Sequence, residues 1–206
     1  MIRPVIHRAV VASKNPDKIT ELETLLARHG LVGEVVRGLD WPDVVEDAPT
    51  LEGNALLKAR QVALSTGLPS IADDTGLEVD ALGGAPGVRT ARYSGPDATY
   101  QSNVDALLQA LQGVEDRTAR FRTVVVAILA DGAEVVAEGE LVGEIAQVRR
   151  GSAGFGYDPV FDVDGRTLAE MDPREKDQVS HRARAIQALA DTLAARERLV
   201  VSPTDR

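Results

Sequence analysis

The sequence predicts an α/β protein built on a mixed β-sheet flanked by helices. Two patterns support this prediction. Near the start, two apolar, β-branched segments flank a segment with helical periodicity, which is the strand–helix–strand pattern of a parallel strand pair. Further along, two long strand patterns meet at Asp131-Gly132, a dipeptide typical of a tight turn between antiparallel strands. A chain of 206 residues is long enough for one such domain or for two lobes.

The opening strand–helix–strand pattern has clear boundaries. Val5–Ala12 is apolar and rich in β-branched residues, which favours a strand. Asn15 can cap a helix that has Pro16 at its first position, and apolar residues then recur at helical spacing until Gly30. The pattern of Leu31–Val36 predicts the second strand.

The next segment alternates between polar loops and short regular elements. Residues 39–50 are acidic and contain prolines, which predicts a loop, and the alanine- and leucine-rich Leu51–Ser65 predicts a helix that ends near Gly67. Ser70–Ala72 predicts a short buried strand, and we expect Asp73–Gly76 to break it. A glycine-rich stretch follows, and so much turn chemistry inside a domain indicates a functional site.

The second half of the chain predicts a helix, an antiparallel hairpin and a final helix. We expect these elements in the following order: a helix at Ala98–Leu111, strands at Phe121–Ala130 and Glu134–Val148 joined by a two-residue turn, a strand at Val160–Val163, a short helix near Leu168 and a last helix capped by Ser180. Ile186, Leu189 and Leu193 have the spacing of its core-facing residues. We expect residues 202–206 to fray.

Composition and charge exclude several classes of protein. With 44 % apolar and 27 % charged residues, the chain has the composition of a folded globular protein. It has 23 basic and 32 acidic side chains, and its net charge of −9 has the wrong sign for a broad nucleic-acid-binding face. The absence of cysteine excludes disulfides, thiolate metal sites and cysteine nucleophiles. Charged residues interrupt the apolar N-terminus, so we expect no secretory signal, no membrane span and a cytoplasmic location.

The turn between the first strand and the first helix is a candidate phosphate site. Free N–H groups and the positive end of the helix dipole meet there, and Ser13, Asn15 and Lys18 add a hydroxyl, an amide and a charge. The chain has four lysines against nineteen arginines, and two of the four, Lys14 and Lys18, lie in this turn. The alternative is an ordinary asparagine-capped helix with a surface lysine, since the Walker A pattern is absent.

Asp73 and Asp74 are candidate acid–base or metal-binding residues. Adjacent residues on a strand point to opposite faces, so at most one of the two carboxylates should enter a given site. Together with Glu46 or Asp47 in the acidic loop, one of them could bind Mg²⁺, which prefers carboxylate oxygens, while another oxygen polarises a water. The alternative is a pair of solvated turn aspartates.

Two motifs near the C-terminal end are candidates for binding a planar base. In Gly154–Pro159 aromatic residues lie between glycines, in a chain with 3 % aromatic residues, and Phe155 can stack on a base. His181 and Arg182 begin the last helix, and the Arg182 guanidinium can read base carbonyls in a forked geometry. The alternatives are a loop with a core-anchoring phenylalanine and a histidine in a capping turn.

Six motifs follow one another along the chain. They are S-x-N-x-x-K-x-x-E at Ser13–Glu21, T-L-E-G-N-A-L-L-K-A at Thr50–Ala59, I-A-D-D-T-G-L at Ile71–Leu77, G-G-A-P-G-V-R-T-A-R-Y-S-G at Gly83–Gly95, G-F-G-Y-D-P-V-F at Gly154–Phe161 and S-H-R at Ser180–Arg182. Each motif is weak by itself, but six in this order closely resemble the inosine triphosphate pyrophosphatase family, which acts on non-standard purine nucleoside triphosphates. The resemblance covers most of the chain.

The resemblance implies a fold, an activity and a set of partners. The implied fold is an elongated mixed sheet in a single catalytic domain, residues 1–206, with two lobes and a central active-site cleft. The implied activity is the hydrolysis of ITP, dITP, XTP or dXTP to the monophosphate and pyrophosphate, which cleanses the nucleotide pool. It implies one Mg²⁺ per subunit and a homodimer. The net charge and the N-terminal sequence predict neither nucleic acid nor membrane as a partner.

Carried over by position, the resemblance also implies residue roles. Asp74 would be the base that activates water and a metal ligand, with Glu46 as a candidate second ligand. The triphosphate would be held by Ser13, Lys14, Asn15, Pro16, Asp17 and Lys18. The nucleotide pocket would be lined by Thr75, Phe155, Gly156, Tyr157, Asp158, Lys176, His181 and Arg182. The chain departs from the family pattern at Gly53, where many members carry a second glutamate, and at Tyr157, where others carry tryptophan.

The sequence leaves two other functions as alternatives. A nucleotide-binding module without turnover needs the phosphate turn and the base pocket but not Asp73 and Asp74. A nucleotide pyrophosphatase of the related septum-inhibitor type keeps a similar scaffold but lacks the Gly154–Pro159 and Ser180–Arg182 motifs. The carboxylate pair argues against the first alternative, and the two motifs argue against the second.

Overall fold

The computed structural model describes residues 5–201, and the predicted tail, residues 202–206, lies outside them. Its helices are α1 (Pro16–Arg28), α2 (Leu51–Thr66), α3 (Tyr100–Ala110), α4 (Pro173–Val179) and α5 (His181–Val201). Its strands are β1 (Ile6–Val11), β2 (Val32–Val35), β3 (Ser70–Val79), β4 (Pro86–Gly87), β5 (Thr118–Ile128), β6 (Glu134–Ile145), β7 (Phe161–Val163) and β8 (Arg166–Thr167). Short 3₁₀ turns lie at Asp80–Leu82, Thr90–Arg92 and Leu168–Glu170.

The strands form one mixed sheet in the order β2-β1-β3-β5-β6-β7-β8, and β4 pairs with β3. Strand β1 runs parallel to β2, with Ile6 opposite Val32, and parallel to β3, with Val10 opposite Ser70. The pairs β3–β4, β6–β7 and β7–β8 are antiparallel. The predicted α/β class with a mixed sheet is therefore confirmed.

Helix α1 begins and ends as the sequence predicts. Asn15 is the N-cap, and its side chain accepts hydrogen bonds from the N–H groups of Asp17 and Lys18, while Pro16 is the first helical residue. The helix ends at Arg28, and Gly30 takes a left-handed φ of 60° before β2. This turn therefore fixes where the polar residues after β1 lie.

Strand β3 differs from the prediction, because Asp73–Gly76 continue it instead of breaking it. The strand runs without interruption from Ser70 to Val79, so both aspartates lie inside a strand. Each carboxylate is held by side chains from other elements, described below, and Leu77 pairs with Gly87 of β4. These tertiary contacts outweigh the turn preference of the local sequence.

The β5–β6 turn and helix α4 also differ from the prediction. Leu129 N–H donates to Ala133 O (2.9 Å), so residues 130–132 form a three-residue connection, with Gly132 in the left-handed position that such a turn requires. Helix α4, which the sequence analysis does not predict, begins after the N-cap Asp172. Its seven residues are too few to show a helical period.

The described chain divides into two compact units. The first contains residues up to Asp74, Val124–Gly139 and residues from Arg182 onward, and the second contains Thr75–Thr123 and Glu140–His181. Each unit has its own hydrophobic core. Buried members include Leu22, Leu26, Ile71, Ile186, Leu189 and Leu193 in the first core and Leu77, Leu107, Phe121, Phe161 and Leu168 in the second. None of the helices described here is long and apolar enough to cross a membrane.

Candidate active site

The turn before α1 is organised by its asparagine cap. Asn15 Oδ1 accepts the N–H of Asp17 (2.9 Å) and of Lys18 (3.3 Å), and Ser13 Oγ accepts the N–H of Asn15 (3.2 Å). Three N–H groups that could bind a phosphate therefore already have side-chain acceptors. An anion at this turn has to be bound mainly by side chains.

A pocket of about 360 Å³ opens beside this turn in the first unit. Ser13 and Lys14 line it, together with Arg37 and Trp41 from the segment after β2. Lys14 is exposed and forms an ion pair with Asp43. The volume lies within the range of small-molecule pockets, roughly 300–1,000 Å³. The turn therefore borders a concave surface large enough for a small ligand.

Asp73 lies at the centre of a buried charge network in the first unit. Lys18 Nζ lies 3.3 Å from Asp73 Oδ2, and Arg182 donates to the same oxygen from Nε (3.1 Å) and Nη2 (2.9 Å). The remaining terminal nitrogen of Arg182, Nη1, donates to Glu21. The sequence predicts that Arg182 reads the base; in the structure its guanidinium contacts the carboxylates of Asp73 and Glu21.

Burial and charge act in opposite directions on this network. Burial by itself raises the pKa of Asp73, but the charges of Lys18, Arg182 and Lys58 outweigh it and hold that pKa far below its ordinary value. Burial lowers the pKa of Lys18, although the charge of Asp73 opposes this shift. The Asp73 carboxylate is therefore firmly ionised.

Asp74 has different partners on α2 and the acidic loop. Asn54 Nδ2 donates to Asp74 Oδ2 (3.2 Å), and Lys58 Nζ donates to Asp74 Oδ1 (3.2 Å) and to Glu46 Oε2 (3.0 Å). Asn54 Oδ1 also accepts the N–H of Ala48, which ties the loop to the start of α2. Burial lowers the pKa of Lys58, but the charges of Asp74, Asp73 and Glu46 outweigh it and raise that pKa.

Glu46 and Asp74 are the carboxylates that could hold a small divalent cation, and the Lys58 ammonium lies between them. Oxygens of the two carboxylates lie within 3.0 and 3.2 Å of one point, the Lys58 ammonium. In the part of the chain that the structure describes, no group of three or more His, Cys, Asp or Glu side chains forms a cage for a metal. Mg²⁺ typically binds through one or two carboxylates together with substrate phosphates and water, so two carboxylates are sufficient.

In the second unit, Asp158 and Lys176 form a buried ion pair beside an aromatic ring. Lys176 Nζ lies 2.7 Å from Asp158 Oδ2 and 4.9 Å from the centre of the Phe155 ring. Asp158 Oδ2 also accepts the N–H of Phe155 (2.8 Å), and the Tyr100 ring lies 5.8 Å from that of Phe155. This cluster therefore combines a cation, a carboxylate and an aromatic surface, the groups predicted for a base site.

Tyr157 points into the core of the second unit. It is buried, and its hydroxyl donates to the backbone carbonyl of Thr90 (3.0 Å). Burial raises its pKa, so the hydroxyl stays protonated. Tyr157 therefore attaches the loop that carries Phe155 and Asp158 to the core of the second unit.

Thr75 and His181 are linked through Thr123, a residue that the sequence analysis does not single out. Thr75 Oγ1 lies 2.7 Å from Thr123 Oγ1, which lies 2.6 Å from His181 Nδ1. The imidazole also stacks on Phe121, with ring centres 4.5 Å apart. Nothing in the local sequence marks Thr123, because its partners come from distant segments.

Three other predicted site residues lie at the start of α1 or in a turn. Pro16 and Asp17 are exposed at the start of α1, and Gly156 has a left-handed φ of 64°. Lys58 and Asn54 are functional candidates without a role in the sequence analysis, although both lie in the T-L-E-G-N-A-L-L-K-A motif. Their spacing of four residues places them on one face of α2 and could have revealed them.

Gly53, where the chain departs from the family pattern, lies in a close contact between the acidic loop and the start of α2. A Cβ atom at this position would lie 2.6 Å from Ala48 Cβ and 3.1 Å from Thr50 Oγ1. The acidic loop therefore folds closely over the start of α2 in this chain. A side chain at position 53 would require the loop that carries Glu46 to shift.

Fold and site together define an α/β protein with paired carboxylates and lysines beside a parallel strand–helix–strand unit. Comparison with known proteins shows that the chain belongs to the Ham1 family, whose model matches residues 9–192. A dITP/XTP pyrophosphatase of Methylococcus capsulatus is 48 % identical over 195 residues, which cover 92 % of this chain and 97 % of that protein.

Two solved structures are similar over nearly the whole chain. The Ham1 protein of Staphylococcus aureus has a TM-score of 0.79 at 37 % identity and covers 92 % of this chain and 99 % of its own. A nucleoside-triphosphatase / dITP/XTP pyrophosphatase of Mycobacterium abscessus has a TM-score of 0.68 at 42 % identity. The match covers 88 % of this chain and 97 % of that chain. The family resemblance drawn from the six motifs is confirmed.

Proposed function

We propose that this chain hydrolyses the non-standard purine nucleotides ITP, dITP, XTP and dXTP to the monophosphate and pyrophosphate. The observation that carries the proposal is the convergence of Glu46 and Asp74 on Lys58, in the unit that also holds the Ser13–Lys18 turn. The name and the 48 % identity of the Methylococcus capsulatus relative support the same reaction here.

The lysines of the turn before α1 supply charge for the triphosphate. Lys14 is exposed, and a surface ion pair such as that with Asp43 costs little to break, so Lys14 can exchange this partner for a phosphate oxygen. The Lys18 side chain is 20 % exposed, which leaves part of it accessible to an anion. A partly desolvated cation attracts phosphate more strongly than one in bulk water.

Glu46 and Asp74 are the residues that would hold Mg²⁺. The Glu46 side chain is 35 % exposed and that of Asp74 is 10 % exposed, so one ligand is anchored and the other accessible. Bound Mg²⁺ would neutralise charge on the pyrophosphate leaving group. Lys58 keeps both carboxylates close together and offsets their mutual repulsion.

Asp74 acts as the general base in this proposal. It takes a proton from a water whose oxygen forms a bond to the α-phosphorus, while the bond from that phosphorus to the bridging oxygen breaks and pyrophosphate leaves. Asn54 and Lys58 each bond one oxygen of Asp74 and hold its orientation. A positioned base of this kind is worth about 10²–10⁴-fold in rate. No covalent intermediate is required.

The base is assigned to residues of the second unit. A 6-oxopurine such as hypoxanthine presents a carbonyl acceptor next to an N1–H donor, whereas adenine presents a donor next to an acceptor. The contact between Lys176 and Asp158 provides a donor beside a carboxylate acceptor, the complement of the first arrangement. Phe155 adds a stacking surface that does not distinguish purines.

Pyrophosphate release tests the proposal. We expect release from dITP and XTP that depends on Mg²⁺, and far slower release from dATP. Binding of dITP without release would indicate the nucleotide-binding module considered above. A preference for pyrimidine triphosphates would indicate an activity of the septum-inhibitor type, and either result would overturn the proposal.

We also propose that the protein is a homodimer and lies in the cytoplasm, as the sequence predicts. Light scattering tests the first, because a dimer has twice the mass of the chain. Cell fractionation tests the second. A monomer in solution, or protein in the membrane fraction, would contradict the corresponding expectation and leave the hydrolysis assay unaffected.

A further inference from the structure

Two hydrogen bonds in the second unit connect Thr75 to the ring of His181. This hydrogen-bonded chain runs from Thr75 in β3 through Thr123 in β5 to His181, the first residue of α5, with oxygen–oxygen and oxygen–nitrogen distances of 2.7 and 2.6 Å. Thr123 is 0 % exposed and His181 is 4 % exposed. Hydrogen bonds in such a poorly solvated region are strong and costly to leave unmade.

The plane of the imidazole is fixed by a second contact. Phe121 lies two residues before Thr123, and side chains two apart on a strand lie on the same face. Its ring is 4.5 Å from the His181 ring, and the two planes make an angle of 29°. Phe121 therefore fixes the ring plane, and Thr123 fixes which nitrogen lies against β5.

The single hydroxyl proton of Thr123 links the donor and acceptor roles in its two hydrogen bonds. A hydroxyl has one proton to donate, so Thr123 donates to one neighbour and accepts from the other. If Thr123 donates to His181 Nδ1, a neutral imidazole carries its proton on Nε2 and is a donor there. If Thr123 accepts from Nδ1–H, a neutral imidazole is an acceptor at Nε2.

We propose that Thr123 is a positioning residue that holds His181 in the Nε2–H tautomer, so that the imidazole donates a hydrogen bond to the purine carbonyl. This inference rests on the proposed function, because it takes a 6-oxopurine as the ligand. Thr75 donates to Thr123, and Thr123 donates to His181 Nδ1. A fixed Nε2–H group is satisfied by the C6 carbonyl of hypoxanthine or xanthine and faces another donor in adenine.

Nitrogen-15 NMR of the histidine-labelled full chain tests the tautomer directly. The chain has three histidines, and His181→Asn identifies the resonances of His181. We expect a protonated Nε2 and an unprotonated Nδ1 in the wild type. Thr123→Val keeps the shape but removes the donor and should give a mixture of tautomers, whereas Thr123→Ser should retain the wild-type spectrum.

The structure offers a matched control and a second variant. Thr90 is also a buried threonine of the second unit, but its hydroxyl bonds to the backbone of Leu77 and Gly87, so Thr90→Val should leave the His181 resonances unchanged. If Thr123→Val does not fold, Thr75→Val still tests the chain. It removes the donor to Thr123 at the partly exposed end and should raise the fraction of the Nδ1–H form.

Specificity gives an independent readout. The ratio of kcat/KM for dITP to that for dATP should fall about tenfold in Thr123→Val, because loss of the Thr123–His181 hydrogen bond shifts the tautomer equilibrium by about the worth of one hydrogen bond, and it should return in Thr123→Ser. An Nδ1–H tautomer in the wild type, or an unchanged tautomer and ratio in Thr123→Val, would overturn the inference. If the wild type releases no pyrophosphate from any 6-oxopurine triphosphate, the proposed function fails, and with it the donation to the base. The NMR experiment still decides whether Thr123 controls the tautomer.

Discussion

Replacing Arg182 with methionine should destabilise the first unit without changing which base is preferred. Arg182 is 2 % exposed, and its three side-chain nitrogens donate to Asp73 and Glu21. Methionine fills a similar volume but provides no donor. Two carboxylates would then lose their shared cation inside the protein, and the choice between purines should not depend on that loss.

The cost follows from the geometry of this network. Breaking a buried ion pair by removing one partner costs about 3–5 kcal/mol. Lys18 stays 3.3 Å from Asp73 and offsets part of the loss, so we expect about 3 kcal/mol, the lower end of that range. With a urea slope of about 2–3 kcal/mol per molar, the unfolding midpoint should fall by about 1–1.5 M.

Urea unfolding and a mutant cycle measure this effect. Asp73→Asn and the double variant complete the cycle, and we expect a coupling of about 1–3 kcal/mol, because the double variant removes the buried charge together with its partner. The kcat/KM values for dITP and dATP should fall together in Arg182→Met. A stability within about 0.5 kcal/mol of the wild type, with a reduced dITP preference, would refute this reasoning and support the base-reading role predicted from the sequence.

Three further predictions address the carboxylates and the phosphate turn. Asp74→Asn should keep triphosphate affinity, measured by calorimetry, while turnover falls about 10²–10⁴-fold; an active Asp74→Asn beside an inactive Asp73→Asn would reverse the assignment. Lys18→Ala should weaken binding of the triphosphate far more than that of the nucleoside, because its charge meets phosphate oxygens, and equal losses would count against the turn as a phosphate site. Burial by itself raises the pKa of Asp73, but the neighbouring cations lower that pKa by more, so the net shift is downward. The ionised Asp73 carboxylate therefore stabilises the fold above the unfolded pKa of about 3.9, and this stabilisation is lost as the pH falls from there toward the lower folded pKa. Asp73→Asn should therefore flatten the loss of unfolding free energy below about pH 5, and an unchanged slope in acid denaturation would contradict this.

Local chemistry predicts the fold where the decisive residues are neighbours in sequence. The cap Asn15 and the stop at Gly30 lie next to α1, and both predicted boundaries agree with the structure within two residues. Strand β3 could not be predicted in the same way. Its aspartates favour a turn locally, and the arginine that stabilises Asp73 in the strand lies 109 positions away.

The order of the motifs predicts the family, but it does not predict how the side chains are connected. Lys58 and Asn54 lie in a recognised motif at helical spacing, so their common face could be inferred from the sequence alone. The bond between Thr123 and His181 joins residues 58 positions apart in β5 and α5. No periodic pattern relates two such positions, because their contact depends on how the whole second unit packs.

The two adjacent aspartates differ only through their surroundings. Strand alternation predicts that they face opposite ways, yet it gives no reason to choose one as the base. Asp73 contacts Lys18 and Arg182, and a carboxylate whose pKa is held so low accepts a proton poorly. Asp74 shares Lys58 with Glu46 and bonds an uncharged amide. The cations that the fold brings to each carboxylate therefore support the proposed assignment of the general base to Asp74 and not to Asp73.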